Sequence, residues 1–169
     1  MINYNINYNN PHRHFVDFEL STNTNGADKM QFQLPAWRPG RYELADFAQN
    51  IQKWGAFDEN NKALAFKKIT KDLWEVETEG AMSVTIVYNF YSNQLDAGAC
   101  YLDEHQLYLN PVHCMFYIVD RMEEEYKLNI DLPESYTIAS SMHQDKNTLT
   151  VKGYDLLAES PIICSNSLQ

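Results

Sequence analysis

The sequence predicts an all-β protein: a two-sheet sandwich of about a dozen short strands, with at most one or two short helices. Three observations predict it. Apolar and polar residues alternate with period two in several separate stretches, the pattern of strands buried on one face. Turn-forming Asn, Asp, Gly and Pro residues punctuate those stretches at short intervals. Aromatic residues make up 13% of the chain, with eleven Tyr and eight Phe, side chains that favour pleated, half-buried surfaces.

Taken in order, Ile2, Tyr4, Ile6 and Tyr8 alternate with asparagines and predict a first strand, ended by Asn9-Asn10-Pro11. Residues 14–20 resume an extended pattern, and Asn23-Thr24-Asn25-Gly26 marks a turn. Met30, Phe32 and Leu34 alternate with Lys29, Gln31 and Gln33. Pro35, Pro39 and Gly40 then fall within six residues, which excludes a helix interior or a central strand. Pro35 and Pro39 push Leu34 and Arg38 toward extended geometry, and Pro39-Gly40 is a turn dipeptide. This stiff elbow carries Trp37, Tyr42 and Phe47, and Trp37 is expected in the core, as is Trp74.

Residues 42–51 are the one place for a short helix. Residues 52–57 read as a strand, Asp58-Glu59-Asn60-Asn61 as a hairpin turn, and 63–70 as its return partner. In 73–77 the buried face is ambiguous between Leu73, Glu75 and Glu77 on one side and Trp74 and Val76 on the other. Met82, Val84, Ile86, Tyr88 and Phe90 give the strongest alternation, with Val87 and Tyr91 suggesting a strand in mid-sheet. A second apolar run, 112–119, reads as another such strand, and 126–130, 136–139 and 148–151 as further short ones. With no repeat, linker or low-complexity segment, residues 1–169 read as a single β-sandwich domain.

A net charge of −10 excludes a general affinity for phosphate backbones or anionic membranes, so no nucleic-acid or membrane partner is expected. No stretch approaches the roughly 20 apolar residues of a membrane helix. The three cysteines, Cys100, Cys114 and Cys164, are an odd set and argue against a closed disulfide framework. The start has no basic cluster or apolar core of a signal peptide, so the expected location is cytoplasmic, or periplasmic if a signal has been removed.

Candidate chemistry is sparse. No histidine is followed by glutamate, so the His-Glu-x-x-His arrangement that binds catalytic zinc is absent. His12 and His14 would share a strand face, yet two ligands fall short of the three or four that zinc takes. His113 and Cys114, adjacent in an expected strand, would point to opposite faces and form no nucleophile–base pair. No Gly-x-Ser-x-Gly elbow or glycine-rich phosphate loop is present. Glu123-Glu124-Glu125 reads as a solvated loop. Asp103-Glu104-His105, between apolar stretches, reads as a polar hairpin tip. No catalytic or metal-ligating residue is expected in this chain.

The elbow also carries a resemblance. Pro35, Trp37, Pro39, Gly40 and Tyr42, then Leu44 and Asp46-Phe47-Ala48, resemble the signature of the amino-terminal domain of the glycyl aminopeptidase family, zinc metallopeptidases that often carry a PDZ domain. Tyr101-Leu102-Asp103-Glu104-His105 leading to Asn110-Pro111, and Tyr154-Asp155-Leu156-Leu157 through Ser160-Pro161, fit the same pattern in order. The chain departs from it at Ala45 and Gln49, where basic residues are common, and at Glu159, where aspartate is usual, so ion pairs built there are not carried over. The resemblance implies a non-catalytic domain of a larger aminopeptidase, packed on a catalytic domain of the same polypeptide that supplies zinc and general base. It also implies that Tyr101, Asp103 and Glu104 are candidates for one wall of the peptide cleft, an acidic side chain there gripping the substrate's α-amino group. The alternative is a free-standing sandwich that binds a carbohydrate or a protein partner, with Trp54 or the Tyr101 loop as its platform.

Overall fold

The computed structural model describes residues 1–168 apart from Pro39, Arg41, Tyr42 and Ala97. The strands are β1 (Ile2–Asn7), β2 (Phe15–Asn23), β3 (Lys29–Gln33), β4 (Ile51–Asp58), β5 (Phe66–Lys68), β6 (Leu73–Glu77), β7 (Ser83–Tyr91), β8 (Tyr101–Leu102) and β9 (Gln106–Leu109). They continue with β10 (Tyr117–Ile118), β11 (Glu125–Ile130), β12 (Thr137–Ala139), β13 (His143–Asp145), β14 (Thr148–Lys152) and β15 (Ile162–Ser165). Two one-turn helices, α1 (Pro111–Cys114) and α2 (Tyr154–Ala158), complete the regular structure with 3-10 turns at Pro11–Arg13 and Phe47–Asn50.

The fold is all-β and sandwich-like, its strands divided among three sheets. The first runs β13-β14-β11-β1-β2-β7-β4, the second β10-β3-β6-β5, the third β12-β15-β9-β8. Pairing is antiparallel except between β1 and β11. Alternation decides which face is buried. Ile2, Tyr4 and Ile6, then Val16, Phe18 and Leu20, then Val84, Ile86, Tyr88 and Phe90 all turn inward from the first sheet. Trp74 and Val76 do so from the second, which resolves the ambiguity in 73–77. The layers meet at Phe116, whose ring stands edge-on to Trp74 at 5.2 Å and to Tyr88 at 4.9 Å.

Several local expectations are corrected. The run 112–119 is not one strand. Pro111, whose fixed φ and missing N–H suit the first turn of a helix, starts α1 after the extended Asn110, and only Tyr117 and Ile118 are strand. Tyrosine hydroxyls hold the irregular stretch between: Tyr88 donates to the Cys114 carbonyl (2.7 Å), Tyr154 to Met115 (2.7 Å) and Tyr4 to Phe116 (3.0 Å). The helix expected within 42–51 is a 3-10 turn at Phe47–Asn50, because Ile51 already pairs with Phe90 as β4. The return partner of β4 is shorter than expected. Ala63 bridges Phe57, Leu64 donates to the Ala56 carbonyl (2.8 Å), and Phe66–Lys68 then pairs with β6 in the other sheet. Met82 lies outside β7 and is exposed. Asn89, on the outward row of β7, is nonetheless buried, because its Oδ1 accepts from the Gln52 and Lys53 amides where β4 bulges.

The elbow sits differently from the expectation. Leu34 is buried and its amide bonds the Asp72 carbonyl (2.8 Å), while the Ala45 amide reaches the Ala36 carbonyl (2.7 Å) and closes the loop on itself. Trp37 is 49% exposed, on the loop's outer side, and is not core; Trp74 is. Gly40 takes φ +85°, the left-handed conformation expected of it. Pro39 and Tyr42 of the motif lie outside the described residues.

Candidate functional site

Strands β8 and β9 pair antiparallel, Tyr101 with Tyr108 and Leu102 with Leu107, leaving 103–105 as the tip of a tight hairpin. Asp103 makes that turn. Its Oδ1 accepts from the His105 amide (2.8 Å) and the Gln106 amide (2.8 Å), and its Oδ2 from the Tyr101 hydroxyl (3.2 Å). Partial burial pushes this carboxyl up, but the hydrogen bonds it accepts outweigh that and hold it below the usual aspartate range. The Tyr101 hydroxyl is raised in turn, by desolvation and then by the Asp103 charge.

Glu104 has the opposite situation. Its backbone carbonyl is held by the Tyr136 hydroxyl (2.9 Å), while its carboxylate projects at the tip, 3.5 Å from His12 Nε2 and 3.4 Å from His105 Nε2. The hairpin backbone is braced twice more: His14 Nδ1 lies 2.6 Å from the Leu102 carbonyl oxygen, and Ser165 Oγ donates to the His105 carbonyl (3.0 Å). A two-residue strand has little stability of its own. Three side chains from distant elements hold this one, and the geometry separates the two carboxylates: Asp103 shapes the turn, Glu104 is presented by it.

The other candidates fall elsewhere. His12 lies in a 3-10 turn and His14, with φ 57°, just after it, so they do not share a strand face. His113 stacks on Phe47 at 4.0 Å within the α1 region, while Cys114 Sγ turns to the Asn110 carbonyl (3.5 Å). They make no dyad, though the reason is helical placement and not strand alternation. Burial pushes the Cys114 thiol well up, the state of an inert thiol. The ring of Trp54 is stacked on Trp74 (5.7 Å) and packed against Phe66 (4.5 Å). Among the described residues no group of three or more His, Cys, Asp and Glu could hold a metal ion.

The elbow and the last motif meet. A groove of about 670 Å³ is lined by Pro35, Trp37 and Arg38 from the elbow, Asn110 from the end of the second motif, and Tyr154, Asp155, Glu159 and Pro161 from the third. Beside it the Arg38 guanidinium packs so closely on Gly98 that a side chain there would collide with it. A second depression, of about 370 Å³, holds Leu95, Asp96, Gln106, Tyr108 and Ile163 on the outer side of the third sheet. The β15 strand links these features, since Pro161, just before its start, lines the groove and Ser165 at its end braces the hairpin tip.

Sequence reading named Tyr101, Asp103 and Glu104 as candidates; it considered His14 only as a metal ligand and passed over Tyr136 and Ser165, and these three brace the hairpin backbone. Those residues lie tens of positions away, and nothing in their local pattern signals the contact.

Comparison with known proteins gives the fold and then the family. No curated protein matches the chain. Among solved structures, an aminopeptidase N family protein from Idiomarina loihiensis superposes with a TM-score of 0.90 at 24% identity, covering 98% of this chain and 29% of that one. An M1 zinc metallopeptidase from Deinococcus radiodurans, solved as a mutant bound to a Tyr-Ser-Ala substrate, gives 0.52 at 11% identity, covering 97% of this chain and 41% of that one. These likenesses concern the fold, and the chain spans less than half of either protein. Residues 3–166 match the peptidase M61 N-terminal domain, and the chain belongs to that family.

Proposed function

We propose that this chain is the non-catalytic amino-terminal domain of a zinc-dependent glycyl aminopeptidase, an enzyme removing small amino-terminal residues, and that it packs on the catalytic domain of the same polypeptide and shapes its peptide cleft. Zinc and general base belong to that second domain, and no step of the reaction runs through residues described above. The role of this domain is to bind and orient.

One observation carries the reading. The last strand ends at the hairpin tip, with Ser165 paired to Gln106 and bonded to the His105 carbonyl. The chain therefore leaves β15 beside His105, the neighbour of Glu104 in the tip. The groove that gathers all three motifs lies at the other end of the same four-residue strand, about 13 Å away at the usual strand rise. One packed domain can cover both. Glu104 then faces the junction, where a carboxylate in a partly dry cleft pairs strongly with a substrate ammonium. Three free, buried cysteines fit a reducing, cytoplasmic compartment.

The test has two arms. The 169-residue chain alone is expected to show no chelator-sensitive aminopeptidase activity, and such activity would refute the reading. In a polypeptide carrying this domain and a His-Glu-x-x-His domain, Glu104→Gln is expected to raise KM for glycyl substrates about tenfold with zinc content unchanged, the loss of a charged hydrogen-bond partner. An unchanged KM would remove Glu104 from the cleft.

A further inference from the structure

We propose that the groove between the elbow and α2 receives an arginine side chain of the catalytic domain, its guanidinium stacked on Trp37 and paired with the Asp155 and Glu159 carboxylates. The catalytic domain as the source of that arginine rests on the reading given above; the preference for a guanidinium rests on the groove itself.

The lining of the groove is of two kinds. Trp37, Tyr117, Met122 and Pro161 give it apolar and aromatic surface, and the half-exposed Trp37 is the part of that surface left open to solvent. Asp155 and Glu159, from α2 and the residue that ends it, give it two carboxylates. Standing four positions apart, they fall on one side of the helix. Aliphatic stem against apolar lining, flat cation against indole and charge against two carboxylates describe one side chain, arginine. Its guanidinium is planar, stacks on aromatic faces and offers a fork of N–H donors to carboxylates, whereas a lysine ammonium has neither plane nor fork.

Within this domain the two carboxylates oppose the local structure. Like charges at this spacing destabilise a helix, and the carboxyl end of a helix, where Glu159 stands, favours a cation. Among the described residues no basic side chain forms a salt bridge with either of them. Arg38 lines the groove but packs its guanidinium on Gly98. A local arrangement that costs stability and has no compensation in its own domain points to a contact made outside it. Pro161 immediately precedes β15, whose far end braces the hairpin tip, so a domain packed over that tip reaches the groove along one short strand. The net charge of −10 adds attraction for a basic surface.

The experiment follows the Trp37 indole N–H by NMR in the 169-residue chain while N-acetylargininamide, N-acetyllysinamide or N-acetylcitrullinamide, the uncharged isostere of the first, is added. The arginine amide is expected to shift the signal saturably, with an apparent affinity about threefold above that of the lysine amide, and the citrulline amide to leave it in place. The Asp155→Asn/Glu159→Gln variant is expected to lose the arginine response while matching or exceeding the parent's urea midpoint, since a like-charge pair is removed. An equal response to citrulline, a response that survives in the variant, or a lowered urea midpoint, which would assign the carboxylates to the domain's own fold, overturns the proposal. Trp37 signals that move with the chain's own concentration would make a second copy the occupant and overturn it as well. In a polypeptide that also carries the catalytic domain, the arginine amide is expected to leave Trp37 unmoved, because the groove is filled. There the double variant is expected to speed proteolysis of the interdomain segment about tenfold, as a buried guanidinium loses its partners. If the arginine amide reaches Trp37 equally in both proteins, the arginine of the catalytic domain falls, while the reading of Glu104 and the cleft, tested by KM, is untouched.

Discussion

Tyr4, Tyr88 and Tyr154 give their hydroxyls to the carbonyls of three successive residues, Phe116, Cys114 and Met115, and the Tyr4 hydroxyl also accepts from the Phe116 amide (2.8 Å). Desolvation pushes all three phenols well up, which favours the protonated, donating form. Tyr126 is equally buried, yet its hydroxyl has no hydrogen-bond partner among the described residues. The same substitution should therefore act oppositely at the two sites. Tyr4→Phe strands a buried N–H and C=O and is expected to cost about 2–3 kcal/mol, whereas Tyr126→Phe removes an unpaired polar atom and is expected to be neutral or to stabilise by up to about 1 kcal/mol, both read from urea unfolding. Acid sensitivity has a residue-scale origin as well. Hydrogen bonds from Arg121 and the chain's amino terminus hold Glu124 down at about 2, against partial burial. A depressed carboxyl contributes stability that is full above its unfolded value, about 4.3, and lost as pH falls through its folded value. Glu124→Gln is accordingly expected to lower stability at pH 7 and to flatten its decline between about pH 4.3 and 2, followed by urea midpoints across pH. The sequence reading took Glu123-Glu124-Glu125 as a solvated loop; that holds for the exposed Glu123, while Glu124 is half-buried under Arg121 and Glu125, though exposed, already opens β11 opposite Lys152.

At the scale of elements, period-two patterning was legible wherever one face met the core and the other met water. The outward asparagines of β1 show why. Asn5 Nδ2 donates to Glu19 on β2 (3.1 Å), its Oδ1 accepts from Asn129 on β11 (3.1 Å), and Asn129 accepts from Thr148 on β14 (3.1 Å). This ladder crosses four strands on the solvent face and reinforces the register that the inward apolar rows already specify. Asn5→Ala cuts two of its rungs and is expected to cost about 1 kcal/mol, with amide exchange in β1 and β11 quickening more than in β7. Elements decided by tertiary contact were not legible. Residues 112–119 are apolar apart from His113, so periodicity cannot tell strand from helix, and the choice falls to Pro111 and to tyrosines far along the chain. Helix α2 is five residues long, too short to show a helical period.

For the molecule as a whole, the three motifs were visible as separate stretches, and what could not be read was that the elbow turns Trp37 outward to join the other two along one side. That side is apolar: Leu95 is 65% exposed and Ile163 37%, with Tyr108 between them in one depression, and Trp37 lines the neighbouring groove. The packing surface proposed for this domain would have a distinct mutational signature. Because Leu95 and Ile163 contribute little to the core, Leu95→Lys/Ile163→Lys is expected to leave the unfolding midpoint of the 169-residue chain within about 0.5 kcal/mol of the parent. In a polypeptide that also carries the catalytic domain, two buried and unpaired lysines oppose packing of the domains. The interdomain segment should then be cut by protease at least tenfold faster, with activity falling in parallel, whereas lysines placed on the opposite sheet at Asn3 and Ser21 should change neither. Equal cleavage rates for both variants would move the interface off the third sheet.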